Sequence, residues 1–415
     1  MHYLKSIDNV KIISFFICTI PFFLLTGSFL SDLSLSLAAL IFFVVSFQKD
    51  NTKYFFNYFV LFFLIFYIYI VFSSILSEYP DFSLRSSLLY FRYGLFSLAV
   101  WYVIDNNPKF PKYFIIILSL SFIYAILDGY SQFYFDSHLI NFSTVHSDRL
   151  SLPLNQKLVL GAYISRLFPL LLALFIFLIP SSRSMYVVLG ALLIVTDVLV
   201  YLSGERTALG LMLISTIFIL IFLSKFKLLR IATLCTSLIF IVLISAFSPE
   251  IKQRNIDYTI TQLGLNEGSE KFNLLSPQHE SHIKSAWLIF KDHKFFGAGP
   301  NTFRKYCGKE EYNINHLSCS THPHNIYIQH LSEIGLVGII IFFIPILYLF
   351  RKIIIHIYQI INEDYGKLSD YQICIIACFL VTLFPLLPSL SFYNNWINVI
   401  YYLPVGFFLH SIFRR

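Results

Sequence analysis

The sequence predicts an all-α, polytopic membrane protein of about twelve transmembrane helices, and three observations lead there. Hydrophobic residues make up 57% of the 415 positions, while Asp, Glu, Lys and Arg together reach only 13%, against about 25% in an ordinary soluble domain. Aromatic residues reach 18%, more apolar surface than one soluble core can hide. Apolar runs near the length that crosses a hydrocarbon layer about 30 Å thick recur along the chain.

Those runs fall at roughly 11–28, 33–47, 55–76, 86–104, 113–130, 159–180, 185–203, 207–224, 229–247, 325–350, 371–388 and 394–412. The first is expected to be a span and not a cleaved signal, because more apolar runs follow at once and no small-residue cleavage site is clear. The chain thus divides into residues 1–247 with nine spans, a large polar loop at 248–324 with short helices, and residues 325–415 with three spans.

Orientation follows from basic residues in short connections, which concentrate on the cytoplasmic side. One set of connections carries Lys5, Lys11, Lys49, Lys53, Lys109, Lys112, Arg183, Lys225, Lys227, Arg230, Arg351, Lys352, Lys367, Arg414 and Arg415; the alternate set holds Arg85, Arg149, Lys157 and Arg206. Both termini are therefore expected in the cytoplasm and the large loop outside, where long loops escape the charge rule. The net charge of +7 contains no tract dense enough to coat nucleic acid, so the partner the composition calls for is the lipid bilayer.

Cys18, Cys235, Cys374 and Cys378 lie in apolar runs, whereas Cys307 and Cys319 share the polar loop. An oxidising compartment would let that pair bridge; two reduced thiols are the alternative, since sequence does not fix their separation.

Polar residues are costly in a bilayer, so their clusters near helix ends are where chemistry is sought. Tyr201-Leu-Ser-Gly-Glu205-Arg206-Thr-Ala-Leu-Gly210 puts an acid and a base between two spans with almost no loop. Arg206 there could fork onto a phosphate, or pair with Glu205, or snorkel to lipid headgroups. The residues alone leave these open. The second cluster is Cys319-Ser-Thr321-His322-Pro323-His324-Asn325-Ile-Tyr327. Pro323 suits a first helical turn, which puts His324 near the N-terminus of the tenth span, where the helix dipole favours neutral imidazole. A neutral imidazole can act as a general base, and the free N–H groups of such a terminus can hold an anion; capping or interfacial packing is the plainer role for His322 and His324.

Nine residues after His324-Asn325 come Gly335-Leu-Val-Gly338, read as two glycines on one helix side that allow close helix contact. This spacing resembles the signature of bacterial O-antigen ligases and the related O-antigen polymerases. Ser203-Gly-Glu205-Arg206-Thr-Ala is similar to the family's arginine turn, and Arg149-Leu150-Ser151, Leu160-Gly161-Ala-Tyr163 and Arg166-Leu-Phe-Pro169 to its stretch before the sixth span. His279-Glu-Ser-His282, Ala286-Trp287 and Phe296-Gly297-Ala-Gly299-Pro300-Asn-Thr-Phe303 resemble its loop signature.

The resemblance implies a GT-C-like, metal-independent and cofactor-free glycosyltransferase of lipopolysaccharide biosynthesis in the bacterial inner membrane. It would take a glycan from undecaprenyl diphosphate on the periplasmic side. A ligase hands the glycan to lipid A-core, a polymerase to another repeat unit; length and the single late loop point to the ligase. Matched residue by residue, His324 would deprotonate the acceptor hydroxyl and Arg206 would bind the diphosphate, with Glu205, His322 and Asn325 beside them in the substrate site. The family places a second arginine in the large loop ahead of the Trp-containing helix. No such arginine is read there; His279, His282 and Lys284 occupy that neighbourhood, and one of them or Arg149 is expected to supply the charge.

His279-Glu280-Ser281-His282 has i, i+3 spacing and not the i, i+4 of a zinc helix, so no metal is expected. Asp197 and Glu333 are expected to face the bundle interior with a partner such as Arg92 or Arg166. A transporter is the rival class, yet the halves show no repeat of the kind many carriers have. A glycosyltransferase with an acidic pair in its first outward loop is another rival, but that loop holds only Asp32.

Overall fold

A computed structural model describes residues 2–48, 51–140, 149–155, 157–180, 182–265, 275–363 and 367–413. Of the basic residues used for orientation, Lys49, Arg414, Arg415 and the side chain of Lys5 lie outside them. Each of the twelve apolar runs forms helix: α1 (His2–Thr26), α2 (Ser28–Ser46), α3 (Tyr58–Ile75), α4 (Pro80–Ser87) continuing through a 3₁₀ turn into α5 (Phe91–Asn106), and α6 (Phe110–Phe135). Then follow α7 (Leu160–Leu178), α8 (Arg183–Leu202), α9 (Arg206–Phe222) and α10 (Lys227–Phe247). The polar loop contributes α11 (Pro277–Asp292), and α12 (Ile326–Ile361), α13 (Asp370–Leu383) and α14 (Asn395–Phe413) close the bundle.

Ten of these stretches are long and apolar enough to cross a membrane, while α9 and α13 are shorter apolar helices. α13 stops five residues short of the expected run because Phe384 precedes Pro385 and turns to extended geometry, the conformation a following proline favours. α12 runs on to Ile361, past the expected end of its span.

The helices α1 with α2, α2 with α5, α5 with α14, α7 with α13 and α8 with α10 pack as neighbours. Several polar side chains within the bundle bond to backbone carbonyls of neighbouring helices, as an apolar solvent favours. Tyr163 donates to the Pro21 carbonyl at 3.0 Å and Trp396 Nε1 to that of Leu24 at 2.9 Å. Asp197 is inside the bundle, but its partner is Arg230, which binds it through both terminal nitrogens at 2.7 and 2.9 Å. Arg92 instead pairs with Asp32 at 2.8 Å. Sequence order could not reveal the Asp197–Arg230 match, because the residues sit on α8 and α10 and meet only when those helices pack.

Two devices shape the face that carries the polar loop. Asp128, His138 and Ser151 form a chain, with His138 Nδ1 2.9 Å from Asp128 and Nε2 3.2 Å from the Ser151 hydroxyl. All three are at most 2% exposed, so this is a clasp fastening His138 and Ser151 to α6, with Arg149 two residues from Ser151. The second is a break in α12 at Gly335, whose φ of +67° leaves the helical region. The expectation of two glycines on one helix side is thus corrected: Gly338 packs on Tyr69, whereas Gly335 ends one helical segment and starts another. Freed by the break, the Leu336 and Val337 N–H groups bond to the Lys294 and Phe295 carbonyls at 2.8 and 3.2 Å. The Ser332 and Glu333 carbonyls accept from Ala298 and Gly299 at 2.9 and 2.8 Å. The loop therefore supplies the hydrogen bonds the helix gives up, as buried backbone requires.

Glu333 completes this seam. Its carboxylate accepts from the backbone N–H of Asn301 and of Phe303, each at 3.0 Å, and from Gln329 at 3.0 Å; neither Arg92 nor Arg166 is its partner. The short helix after Gly299 is Phe303–Tyr306. Cys307 and Cys319 are joined in a disulfide with Cα atoms 4.9 Å apart, closing the tip of the loop. The other described cysteines are free.

Candidate functional site

Arginines gather around the α8–α9 turn. Ser203 ends α8, Gly204 takes φ +68° and Glu205 precedes α9. Gly204 is required sterically as well: a Cβ there would collide with Arg254 and come within 3.3 Å of the Arg149 stem. Two guanidinium side chains thus lie against a turn that leads directly into a third, Arg206, at the first position of α9. Arg206 Nη1 reaches the Thr259 hydroxyl at 3.2 Å and feels the charges of Arg254 and Arg149.

Glu205 balances this group from beneath. Its carboxylate accepts the Gly161 N–H at the start of α7 at 2.7 Å and stands 3.6 Å from Arg149. That N-terminal position favours negative charge, but burial dominates and pushes the carboxyl up to about 7, against the pull of Arg149 and the Gly161 N–H. Arg149 also donates to the Leu158 carbonyl at 2.8 Å.

Imidazoles gather on the other side. In α11, Ser276 caps the first turn, and its hydroxyl lies 2.9 Å from His279 Nδ1. The i, i+3 spacing of His279 and His282 puts both on one face. His324 sits between them: its ring centroid is 5.2 Å from each, 4.0 Å from His322, and only 24° from parallel with His282. His282 is fully buried, and neither of its ring nitrogens has a hydrogen-bond partner among the described residues.

His324 adopts φ +56°, immediately before the Asn325 cap of α12. Asn325 accepts from the Tyr327 and Ile328 N–H groups at 3.0 and 3.1 Å, so the helix starts at Ile326 and Pro323 stays outside its first turn. Burial first, then the neighbouring imidazoles, hold His324 down at about 3. Burial likewise sets His322 at about 4. His279 is lowered by burial and then by the Arg206 charge, and His282 by burial and then by His279. Near neutral pH all four rings are uncharged and able to accept a proton.

The connection between α13 and α14, without sequence signal of its own, joins the two halves. Ser389 N–H donates to the His324 carbonyl at 2.8 Å, its carbonyl lies 3.1 Å from His322 Nε2, and Pro385 accepts from Asn325 at 2.8 Å. The same connection meets α9, because a Cβ on Gly210 would lie 2.9 Å from Leu387. Arg206 stands about one turn before Gly210 and its charge acts on His279, whose ring lies 5.2 Å from that of His324, so His279 links the guanidinium to the imidazoles in one cluster.

The expected residues are therefore distributed unevenly. Arg149, Glu205, Arg206, His282, His322, His324 and Asn325 come together. Lys284 does not: it is 58% exposed and pairs with Glu280 one helical turn away, on the face of α11 opposite the histidines. Sequence reading missed Arg254, which stands in the loop ahead of Trp287 on one π-helical turn (Gln253–Asp257). Among the described residues no group of three or more His, Cys, Asp or Glu could hold a metal ion.

A helical membrane bundle with a cluster of arginines and imidazoles at one face suits a transferase acting on an anionic lipid-linked substrate. Residues 191–343 match the model of a family described as O-antigen ligase, a stretch that holds Arg206, Arg254 and all four histidines. This stretch is thus similar to the O-antigen ligase family, over somewhat more than a third of the chain. No curated protein matches the chain.

Proposed function

We propose that the protein is an O-antigen ligase-type glycosyltransferase that moves a glycan from undecaprenyl diphosphate to lipid A-core on the periplasmic side of the inner membrane. The observation that carries this reading is the meeting of Arg206 and His324 around His279. The donor's polyprenyl tail stays in the bilayer while its diphosphate sits at the helix ends, the depth at which both residues stand.

Arg206 and Arg254 bind the diphosphate, and Arg149 adds a third positive charge tempered by Glu205. As the anomeric bond breaks, negative charge spreads over the leaving diphosphate, and fixed guanidinium groups stabilise it without reorganising. His324, uncharged before the reaction, takes the proton of the acceptor hydroxyl as the new glycosidic bond forms. Its low proton affinity in the empty site rises when an anionic donor arrives nearby, so the base becomes effective once the donor is bound. His279 and His282, on either side of His324, solvate the imidazolium that results.

The test is deletion of the gene with gel analysis of surface glycolipid. Loss of all polymer on lipid A-core with carrier-linked polymer retained supports a ligase. A single repeat on lipid A-core means that the protein is a polymerase, and unchanged glycolipid overturns both.

A further inference from the structure

We propose that the turn after α11, residues 293–297, is seated in the lipid leaflet at the loop's face of the membrane and binds it as an anchor, with anionic glycerophospholipid headgroups around it. This rests on the membrane topology alone and not on the transfer chemistry. The backbone of this turn descends alongside two spans. Tyr69 donates to the Ile334 carbonyl at 2.6 Å and lies 3.5 Å from that of Phe295, while Ser73 donates to the Phe296 carbonyl at 2.8 Å. Tyr69 is six residues before the end of α3, which at 1.5 Å per residue is about 9 Å inboard of it.

At that depth the turn presents its largest apolar side chains outward. Phe295 is 65% exposed and Phe296 44%, the latter edge-on to Phe72 with centroids 5.6 Å apart. They extend the exposed apolar surface of α3 and α12, which at this level consists of Ile68, Phe72 and Leu336. A soluble loop would not place two adjacent phenylalanines in water beside a membrane-spanning surface. Lys291 and Lys294 precede the pair and are exposed, with Asp292 between them and Glu78 within electrostatic reach of His293; lysines so placed reach up to phosphate while their stems lie in the apolar layer. The turn's carbonyls are capped by Tyr69, Ser73 and the Gly335 break, which lets irregular backbone sit at this depth.

The experiment places tryptophan on the turn. Phe295→Trp protein in nanodiscs should gain emission that lipids brominated in the upper acyl chain quench and aqueous iodide does not. Ile314→Trp, on the disulfide-closed tip, should behave in the opposite way. Raising the phosphatidylglycerol fraction, brominated, should deepen quenching in Phe295→Trp, and this gain should vanish when Lys291→Glu and Lys294→Glu are added. Should Phe295→Trp fail to fold, Phe296→Trp serves in its place. Iodide-accessible emission that ignores brominated lipid would overturn the anchor, and quenching indifferent to phosphatidylglycerol would overturn the headgroup assignment.

Discussion

The imidazoles of His282 and His324 lie stacked, centroids 5.2 Å apart and planes 24° from parallel, though one belongs to α11 and the other stands just before the Asn325 cap of α12. The stack joins α11 to the entry of α12 and surrounds the candidate base with uncharged rings. Replacing His324 by Asn is the cleanest probe of that base, because Asn tolerates the left-handed backbone at this position. His324→Asn should lose about 10²–10⁴ in transfer rate while its melting curve stays that of the parent. Measured turnover with a lipid-linked donor at the parent rate would refute the role.

Arg254 and Lys284 separate structure from sequence expectation. Arg206→Ala and Arg254→Ala should each cost about 10²–10³ in rate, and Arg254→Lys should recover only part of it because an ammonium cannot fork two hydrogen bonds. Lys284→Ala should leave the rate unchanged, since Lys284 is tied to Glu280 on the face of α11 away from the histidines. Steady-state assays of the four variants decide the matter.

Glu205 sets a pH dependence whose sign can be worked out. Its folded carboxyl keeps its proton up to about 7, above its ordinary 4.5. Below 7 the arginine group therefore carries one more net positive charge, and donor affinity is highest there. The donor KM should rise as pH climbs through about 7, and Glu205→Gln should flatten the profile. Stability follows the same direction: the folded state holds a proton that the unfolded chain releases from about 4.5 upward, so the stability contributed by this proton is complete below 4.5 and lost by pH above 7. Glu205→Gln should accordingly raise the melting temperature at pH 8 relative to the parent more than at pH 5.

Gly335 and Gly297 interlock back to back. A Cβ on Gly335 would strike the Phe295 carbonyl, and one on Gly297 would strike the Glu333 and Ile334 backbone. Both also have positive φ, +67° and +75°, so alanine brings strain on top of collision. Gly335→Ala and Gly297→Ala should each destabilise the protein by about 1–3 kcal/mol, read as a lowered midpoint in thermal unfolding, whereas Gly190→Ala, with no atom nearer than 3.4 Å, should not.

The spans were legible because hydrocarbon thickness imposes a length that any apolar run declares. The arginine turn and the histidine motif were legible too, since each packs its polar residues into one short stretch. What joins them was not. Arg254 sits in a polar segment where one arginine among lysines and acids carries no mark, and it matters only because Gly204 leaves room for it. The connection bearing Pro385, Leu387 and Ser389 acts mostly through backbone groups and packing, which composition does not encode. Gly335-x-x-Gly338 was misread because a glycine that allows helix contact and one that breaks a helix look alike until the loop facing them is known.

Because the broken helix borrows its hydrogen bonds from residues 294–299, the two segments have become a single splice, and length there is not negotiable. An extra residue between Asp292 and Phe303 would shift donors away from acceptors and disturb the Gly335 junction. The ring closed by Cys307 and Cys319 lies beyond that junction and is exposed over much of its length. Epitope tags or cargo peptides inserted between Gly308 and Ser318 should therefore be carried without disturbing the arginine and histidine cluster, while the same insert ten residues earlier should abolish assembly.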